Sequence, residues 1–368
     1  MYNEGKMEPR VSSLMAKKTS RFAKYDGKGM TGLTNCGNTC YLNTCLQVLS
    51  HTYELNDVLD KGTFRTFLKK TPEGVLLNEW DELRKLMWSE NCVVTPGRFL
   101  RVVQSVAASK RRHLFTGYSQ NDMSEFLLFV MECFHEGLSR EVTMNIRGKA
   151  FTEKDHLAKK CYERMIELYQ KSYSEFLELF FGIQVWTTRV IKNGVPQPLT
   201  IDDMNPDPFM SLDVWLTPQS KAISMASCLA KNLEPEKIDG FVDKDGNPKE
   251  RVLRFWSLPK ILMVNIKRYT PAGQKIRTPV TPDYEIDLSS YVIGYDSSKA
   301  GSSHEYELYG AAVHAGGGIH GGHYYALVKT SNGTWYEFND ARVSEIQANS
   351  PILNARLGEA SCCFYRKK

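Results

Sequence analysis

The strongest constraint on the fold is that helical and strand periodicities occupy different halves of the chain. Up to about residue 182 apolar residues recur at helical spacing, and from Ile183 onwards β-branched and aromatic residues recur between Gly and Asn/Asp turn signals. The sequence therefore predicts an α+β fold with most helices first. One face of the first helix holds apolar residues at i, i+3, i+4 and i+7: Leu42, Cys45, Leu46 and Leu49.

Turn signals divide the second half into strands. Asn193-Gly194 predicts a hairpin turn after a strand at residues 183–191, and residues 243–248 predict a second turn. A third turn, at Ser331-Asn-Gly, would pair the last two predicted strands antiparallel. Core strands are predicted at residues 261–266, 308–314, 323–328 and 334–338.

Composition and charge exclude several classes of protein. The chain has 368 residues, of which 42% are hydrophobic, so it can bury a substantial core. Its longest uninterrupted apolar run, Phe126 to Met131, is far below the roughly 18 residues of a membrane span, and no apolar signal core follows Met1. We therefore expect no membrane contact and a location in the cytoplasm or nucleus. The net charge of +5 is too small to indicate nucleic-acid binding.

The charge is concentrated in the first 24 residues. They hold six Lys and Arg against two Glu, which is +4 of the total of +5. With few large apolar groups, residues 1–26 are predicted to form a basic, disordered tail ahead of a catalytic domain at residues 27–368. A solvated tail is one interpretation, and a signal for nuclear import or for an acidic partner is the other.

The nine cysteines favour reduced thiols over disulfides or a metal site. Without a signal peptide we expect a reducing compartment. No Cys-x-x-Cys pair occurs in the sequence, so it predicts neither a four-thiolate zinc site nor any cofactor.

Cys40 is the candidate nucleophile. Thr39 is a predicted N-cap, which places Cys40 in the first helical turn, where the helix N-terminus should lower the pKa of its thiol. Asn35 could direct its amide N–H at the oxyanion, together with the backbone N–H of Cys40. The alternatives are a small buried hydrophobic residue for Cys40 and a turn-forming residue for Asn35.

His323 is the candidate base. It follows a Gly-rich stretch at residues 315–318, which predicts a mobile loop, and it opens a strand. Antiparallel pairing would bring Asn339 back beside His323, where an amide or carboxylate can hold the imidazole in the tautomer that accepts the thiol proton. Asn339 and Asp340 are both candidates, although an ordinary strand-end turn would also explain them. Two further histidines are predicted to be loop or structural residues: His314 and His320.

Together these motifs resemble the ubiquitin-specific proteases, the papain-like cysteine deubiquitinases, over about residues 30–368. In the second motif, Asn121 stands where the family usually has a second Gln. The motifs are Gly32-Leu-Thr-Asn35-Cys-Gly-Asn-Thr-Cys40-Tyr-Leu-Asn, Gln120-Asn-Asp122-Met-Ser-Glu125-Phe-Leu, Leu258-Pro-Lys-Ile-Leu-Met-Val-Asn-Ile-Lys267-Arg268-Tyr, Asp287-Leu-Ser-Ser-Tyr291, Gly322-His323-Tyr and Trp335-Tyr-Glu-Phe-Asn339-Asp340.

The resemblance implies a papain-like fold with a helical thumb at about residues 30–182, β-rich fingers at about 183–252 and a palm at about 253–368. Many members carry two Cys-x-x-Cys knuckles where residues 185–194 and 241–250 lie here, and these stretches contain no cysteine. We therefore predict fingers without metal, held by hairpin pairing and apolar packing.

The resemblance also implies roles for individual residues. Cys40, His323 and Asn339 would form the triad, with Asp340 as helper and Asn35 as oxyanion donor. Acidic residues of the second motif would meet the ubiquitin tail, unless they only cap a helix. The residues implied in substrate binding are Asp122, Glu125, Gln120, Gly322 and Tyr324.

The implied function is hydrolysis of the isopeptide or peptide bond after the C-terminal glycine of ubiquitin, through an acyl-thioester on Cys40. Its partners would be ubiquitin and ubiquitinated proteins or polyubiquitin chains, with no nucleic acid. Two alternatives remain: a catalytically silent ubiquitin-binding scaffold, and a protease for another ubiquitin-like modifier. The residues leave open the chain linkage, the protein substrate and the need for a regulatory protein partner.

Overall fold

The computed structural model describes residues 21–219, 221–270, 272–294, 304–318 and 321–368. In these ranges the helices are α1 (Cys40–Ser50), α2 (Tyr53–Asp60), α3 (Pro72–Ser89), α4 (Gly97–Ser109), α5 (Met123–Leu138), α6 (Glu153–Tyr169), α7 (Glu175–Phe180), α8 (Met225–Asn232) and α9 (Pro351–Leu357). The strands are β1 (Gly32–Leu33), β2 (Val93–Val94), β3 (Gly182–Lys192), β4 (Val195–Pro196), β5 (Met204–Phe209), β6 (Ser211–Trp215), β7 (Ile223–Ser224), β8 (Glu236–Val242), β9 (Pro248–Ser257), β10 (Ile261–Lys267), β11 (Val280–Thr281), β12 (Glu285–Asp287), β13 (Glu305–Gly318), β14 (Gly321–Lys329), β15 (Trp335–Asn339), β16 (Arg342–Ile346) and β17 (Ala360–Lys367). The predicted α+β order is confirmed.

Helix α1 is buried on every side, although the sequence indicates only one apolar face. It lies between α5 and the strands β13 and β14, and the ring of Tyr41 meets the edge of Phe126 with 5.1 Å between centroids. Several of its polar side chains find hydrogen-bond partners in the surrounding structure. The Gln47 amide donates to the Thr31 carbonyl at 2.7 Å, for example. The helix that begins at Cys40 is thus fixed from all directions.

The palm is a twisted sheet with strand order β16-β15-β14-β13-β17-β10-β6, and β12 pairs with β13. Side chains alternate between its two faces. Tyr324 and Phe338 pack towards α1, whereas Tyr325 packs in the cluster that contains Leu353 and Leu357 of α9. The pairing of β14 with β15 is antiparallel, as predicted, and it aligns Ala326 with Phe338.

The fingers are a sheet of order β4-β3-β9-β8, with β5 paired to the free edge of β3 near its start. The predicted turn at Asn193-Gly194 is confirmed, because both residues adopt left-handed backbone angles, with φ of 51° and 77°. Among the described residues, no group of three or more metal-ligating side chains converges. The absence of zinc from the purified protein remains a prediction.

The packing of the structure differs from the predicted subdomains at two places. Residues 183–252 are predicted to form the fingers, yet β6 pairs in parallel with β10 of the palm, and Cys228 of α8 is buried in the palm core. Helix α6 falls in the predicted thumb, but its Leu157 packs with Val185 of the fingers. Local periodicity predicts an element and its apolar face, and it does not specify the layer against which that face packs.

The predicted tail is too long at its C-terminal end. Residues 1–20 lie outside the described ranges, so the prediction stands untested there. Phe22 and Tyr25, however, are buried, and their ring centroids lie 5.0 and 4.4 Å from that of Tyr53. Aromatic burial of this kind ties the segment to the folded body. Within the described residues, no helix has the length and apolar character of a membrane span.

Candidate active site

Cys40 is the first residue of α1 and is only 3% exposed. Thr39 occupies the N-cap position, as predicted, but its hydroxyl accepts the backbone N–H of Cys36 at 2.8 Å instead of capping the helix. A hydrogen bond between its own residues therefore closes the loop before Cys40. The thiol lies at the backbone N–H of Tyr324 in the palm.

The charge state of Cys40 differs from the expectation. Burial raises the pKa of its thiol above the ordinary value of 9.0, the backbone N–H of Tyr324 lowers it, and the carboxylate of Asp340 raises it further. The backbone N–H groups of Tyr41 and Cys40 also act to lower the pKa, without reversing the shift. In the free chain the thiol is thus protonated at neutral pH, and attack requires a base.

The imidazole of His323 is held by Asn339. Nε2 of His323 lies 2.7 Å from the Asn339 side-chain oxygen, which can only accept, so Nε2 carries the proton. Nδ1 is then the unprotonated nitrogen, the one able to take a proton from a thiol. The pairing of β14 with β15 creates this contact across the sheet, as the sequence predicts.

Asp340 does not contact the imidazole. One carboxylate oxygen accepts the side-chain amide of Asn35 at 2.9 Å, and the other accepts that of Asn43 at 2.8 Å. Its backbone oxygen accepts the N–H of Leu33 at 2.9 Å. Between the two candidates, the structure therefore assigns the histidine contact to Asn339. Asp340 instead joins the palm to the loop that precedes Cys40.

Asn35 combines the two interpretations that the sequence left open. Its oxygen accepts the backbone N–H groups of Gly37 and Thr39 at 3.0 and 3.1 Å, as expected of a turn residue. Its amide nitrogen gives one hydrogen to Asp340, and the second hydrogen is available for an oxyanion.

The residues predicted for substrate binding form a wall where the start of α5 meets β14, on either side of His323. Gln120 and Gly322 exchange two hydrogen bonds of 3.1 Å, side chain to backbone, which fixes the strand immediately before His323. Asp122 caps α5 by accepting the backbone N–H of Glu125 at 2.9 Å, and its other oxygen accepts the Tyr324 hydroxyl at 3.3 Å. Capping therefore uses one oxygen of Asp122, and the exposed carboxylate of Glu125 faces solvent.

A cavity of about 360 Å³ adjoins this wall, bordered by Asp122, Tyr324 and His314. Burial lowers the pKa of His314 to about 4, and its Nδ1 lies 3.1 Å from the Tyr269 hydroxyl, so it is neutral and structural, as expected. The predicted mobile loop at residues 315–318 is wrong: these residues end β13, and Gly318 pairs across the hairpin. His320 lies outside the described residues.

Two residues that support the site are not predicted from the sequence. Asn43 anchors Asp340, and Glu337 accepts the Asn339 side-chain amide at 3.2 Å. Glu337 could have been found from the strand period of two, which places it on the same face as Asn339. Asn43 could not, because only the tertiary fold brings Asp340 to α1.

The sequence profile of the family described as ubiquitin carboxyl-terminal hydrolase matches residues 31–365. This chain belongs to that family. The predicted resemblance is thereby confirmed, and the candidate active site lies where the N-terminus of α1 meets the start of β14 and the end of β15.

Curated relatives agree with the assignment. Ubiquitin carboxyl-terminal hydrolase Usp2 of Drosophila melanogaster is 28% identical over 92% of this chain and 35% of its own length. Ubiquitin carboxyl-terminal hydrolase 2 of Bos taurus is 27% identical over 99% of this chain and 60% of its own length. Human ubiquitin carboxyl-terminal hydrolase 21 is 30% identical over 88% of this chain and 60% of its own length. The chain thus spans between about a third and three fifths of the length of these relatives.

Solved structures agree with the fold. The SAGA Ubp8/Sgf11/Sus1/Sgf73 DUB module bound to ubiquitin aldehyde matches with a TM-score of 0.69 at 19% identity, over 93% of this chain and 70% of that chain. The module with monoubiquitin gives a TM-score of 0.68. The predicted papain-like architecture of this family is confirmed.

Proposed function

We propose that this chain is a thiol-dependent ubiquitinyl hydrolase that cleaves the isopeptide or peptide bond after the C-terminal glycine of ubiquitin. The observation that carries the proposal is the 2.7 Å contact between His323 Nε2 and the Asn339 side-chain oxygen. The Cys40 thiol lies at the backbone N–H of Tyr324, the residue that follows His323. A cysteine with only a structural role would not need an imidazole with an unprotonated Nδ1 on the strand that its thiol contacts.

The proposed reaction has two stages. His323 Nδ1 takes the thiol proton as Cys40 Sγ bonds to the glycine carbonyl carbon, and the oxygen becomes an oxyanion that the second Asn35 amide hydrogen and the N-terminus of α1 stabilise. The oxyanion then collapses, the C–N bond breaks, and His323 returns the proton to the leaving amine. In the second stage His323 takes a proton from water as the hydroxide adds to the thioester carbonyl. The oxyanion then collapses, the C–S bond breaks, and His323 returns the proton to the Cys40 thiolate to regenerate the thiol.

Acidic side chains at the start of α5 would complement the positive charge in the tail of ubiquitin, which ends Leu-Arg-Gly-Gly. Asp122 retains one oxygen that is shared only with the Tyr324 hydroxyl, and Glu125 is exposed one helical turn away. An arginine of the tail could pair with both carboxylates by charge-assisted hydrogen bonds. The glycines at 316–318 leave the facing strand without side chains, which allows a thin substrate to approach.

Ubiquitin is the proposed partner. The titles of two similar structures report a module bound to monoubiquitin and to ubiquitin aldehyde, and the same module contains Sgf11, Sus1 and Sgf73. We propose that this chain likewise binds ubiquitinated proteins or polyubiquitin, with a regulatory protein partner as an addition to be tested.

The decisive test measures cleavage of ubiquitin carrying a C-terminal fluorogenic amide, with Cys40→Ala as the matched inactive variant. We expect turnover by the wild type, and no turnover but retained ubiquitin binding by Cys40→Ala. Binding without turnover in the wild type would instead identify a silent scaffold.

A panel of linkage-defined chains and ubiquitin-like fusions extends this test to the substrate. We expect cleavage of ubiquitin substrates. Cleavage confined to another ubiquitin-like fusion would overturn ubiquitin as the substrate while retaining the catalytic residues.

A further inference from the structure

Glu337 contacts the residue that orients the catalytic imidazole. It lies on β15 two residues before Asn339 and therefore on the same face of the strand. One of its carboxylate oxygens accepts the Asn339 side-chain amide at 3.2 Å, and the other forms an ion pair with Arg356 of α9. The Glu337 side chain is 12% exposed, so water competes little for these contacts.

The contact determines which end of the Asn339 amide faces His323. An asparagine amide can rotate by about 180° and exchange its oxygen for its nitrogen, which are nearly equal in size. A carboxylate only accepts, so Glu337 is satisfied only when the Asn339 nitrogen points towards it. The oxygen must then face Nε2 of His323. In the opposite orientation the amide would donate to Nε2, the proton would reside on Nδ1, and the thiol would have no acceptor.

Glu337 also supplies a negative charge that Asn339 lacks. When His323 takes the thiol proton, it becomes an imidazolium, and a neutral amide stabilises that charge only through its dipole. A carboxylate bonded to the far side of the amide polarises it in the favourable direction. Arg356 holds the carboxylate in place through its second oxygen, and α9 packs over the same face of the sheet through Leu353 and Leu357.

We propose that Glu337 is a positioning residue that locks the Asn339 amide and, through it, the tautomer of His323. This inference rests on the proposed catalytic use of His323. It extends the active site by one carboxylate and one guanidinium, contributed by Glu337 of β15 and Arg356 of α9.

Two substitutions separate hydrogen-bond acceptance from charge. Glu337→Met has nearly the same length without an acceptor and should lower kcat about 10-fold, the effect of losing one hydrogen bond to a charged group in the transition state, with little change in KM. Glu337→Gln keeps an acceptor oxygen and should lose less. Arg356→Met keeps the Glu337–Asn339 bond and should also lose less than Glu337→Met.

A change of sign provides the sharper test. In an Asn339→Asp background the residue beside His323 no longer has an amide to orient, and two carboxylates face each other. Adding Glu337→Met to Asn339→Asp should therefore raise kcat relative to Asn339→Asp alone, whereas it lowers kcat in the wild-type background. A residue that only packs the strand would change both backgrounds by the same factor.

The readout should not depend on the identity of the substrate. Alkylation of Cys40 by iodoacetamide, followed by mass spectrometry of its peptide, reports the nucleophile directly and should follow the same sign reversal. It would do so even if ubiquitin proved to be the wrong substrate, so the two proposals fail separately. Glu345→Gln, on the opposite face of the neighbouring strand β16, is the matched control and should leave both readouts unchanged.

Melting temperatures show whether a variant loses activity because it unfolds. If Glu337→Met unfolds, Glu337→Gln takes its place in both Asn339 backgrounds. An equal loss in the two Asn339 backgrounds, or wild-type kcat and alkylation in both Glu337 variants, would overturn the proposal.

Discussion

The thumb–palm body and the fingers are built differently. The body contains two large clusters of buried side chains, one on each face of the palm sheet, whereas the fingers share one cluster of six buried residues with α6. The most deeply buried ion pairs of the described residues lie in the body, although Glu250 of the fingers, paired with Arg189, is also only 7% exposed. Asp81 and Arg84 of the thumb are almost fully buried, whereas Arg164 and Asp207, which join α6 to β5, are 35% and 51% exposed.

The large buried clusters lie next to the candidate site, and the small cluster does not. Every residue that the sequence predicts for the site lies on or beside α1, α5, β14 or β15, all of which contribute side chains to the large clusters. The fingers contribute none of them, and strand β8 is largely exposed. A region with few buried contacts opens more readily than a region with many. We infer that the body preserves catalytic geometry while the fingers retain freedom to adjust to a bound protein.

The largest effect is expected from a cavity in the body. Leu46→Ala in α1 should lower the free energy of unfolding by about 2–5 kcal/mol, because the leucine is completely buried. Leu157→Ala in α6 is the matched change beside the fingers, and it should produce a smaller global loss. Denaturant unfolding measures the global loss of stability in both variants. For Leu157→Ala, hydrogen exchange should also show faster exchange that is confined to α6 and β3. Equal global losses would contradict the distinction between the two regions.

The next effect concerns the oxyanion donor. Asn35→Ala should lower kcat by roughly 10-fold to 1,000-fold with little change in KM. Asn247→Ala, the matched change in the fingers, removes a hydrogen bond to Asp243 and should leave kcat unchanged. Steady-state kinetics on a ubiquitin substrate distinguishes them. A rise in KM alone for Asn35→Ala would identify a turn residue.

A double-mutant cycle sharpens the description of the body. Asp340→Ala should lower kcat about 10-fold through displacement of Asn35, an effect within the range for an oxyanion donor. Combined with Asn35→Ala, it should add little further loss, because the two residues act as a unit. Combined with Asn339→Ala, its loss should add in full. Full additivity with Asn35→Ala would separate Asp340 from the oxyanion donor.

A smaller effect is expected from the turn of the fingers. Gly194→Ala should cost about 1 kcal/mol of local stability, because residue 194 has a left-handed φ of 77°. The added methyl group would meet no other atom within 4 Å, so the backbone angle alone causes the loss. Gly117→Ala in the body has equally open surroundings without that backbone angle, and it should be neutral or slightly stabilising. Hydrogen exchange of β3 and β4 reports the local change, and indistinguishable variants would refute it.

No effect at all is expected from metal removal. Residues 183–250 contain Cys228 as their single cysteine and no histidine, and Cys228 is buried in the palm core, away from the fingers. The purified protein should contain substoichiometric zinc, and a chelator should change neither its melting temperature nor its cleavage rate. One tightly bound zinc per chain, with loss of stability on chelation, would defeat the prediction.

Much of the architecture could be predicted from the sequence because its signals are local. Helical spacing around Leu46, alternation along residues 323–328 and the Asn193-Gly194 turn each depend on neighbours along the chain. The contact between His323 and Asn339 was also predictable, because a short turn between two strands fixes which residues face each other.

Features that depend on residues far apart in the chain follow from the folded structure and could not be predicted from local patterns. Burial of Cys40 between α5 and the palm sheet raises the pKa of its thiol, which the helix N-terminus alone would lower. Asp340 turns to Asn35 and Asn43 because the loop before α1 lies against the end of β15. Periodicity along the chain determines which side of an element is apolar, whereas charge state and hydrogen-bond partners are set by groups that meet only when the chain is folded.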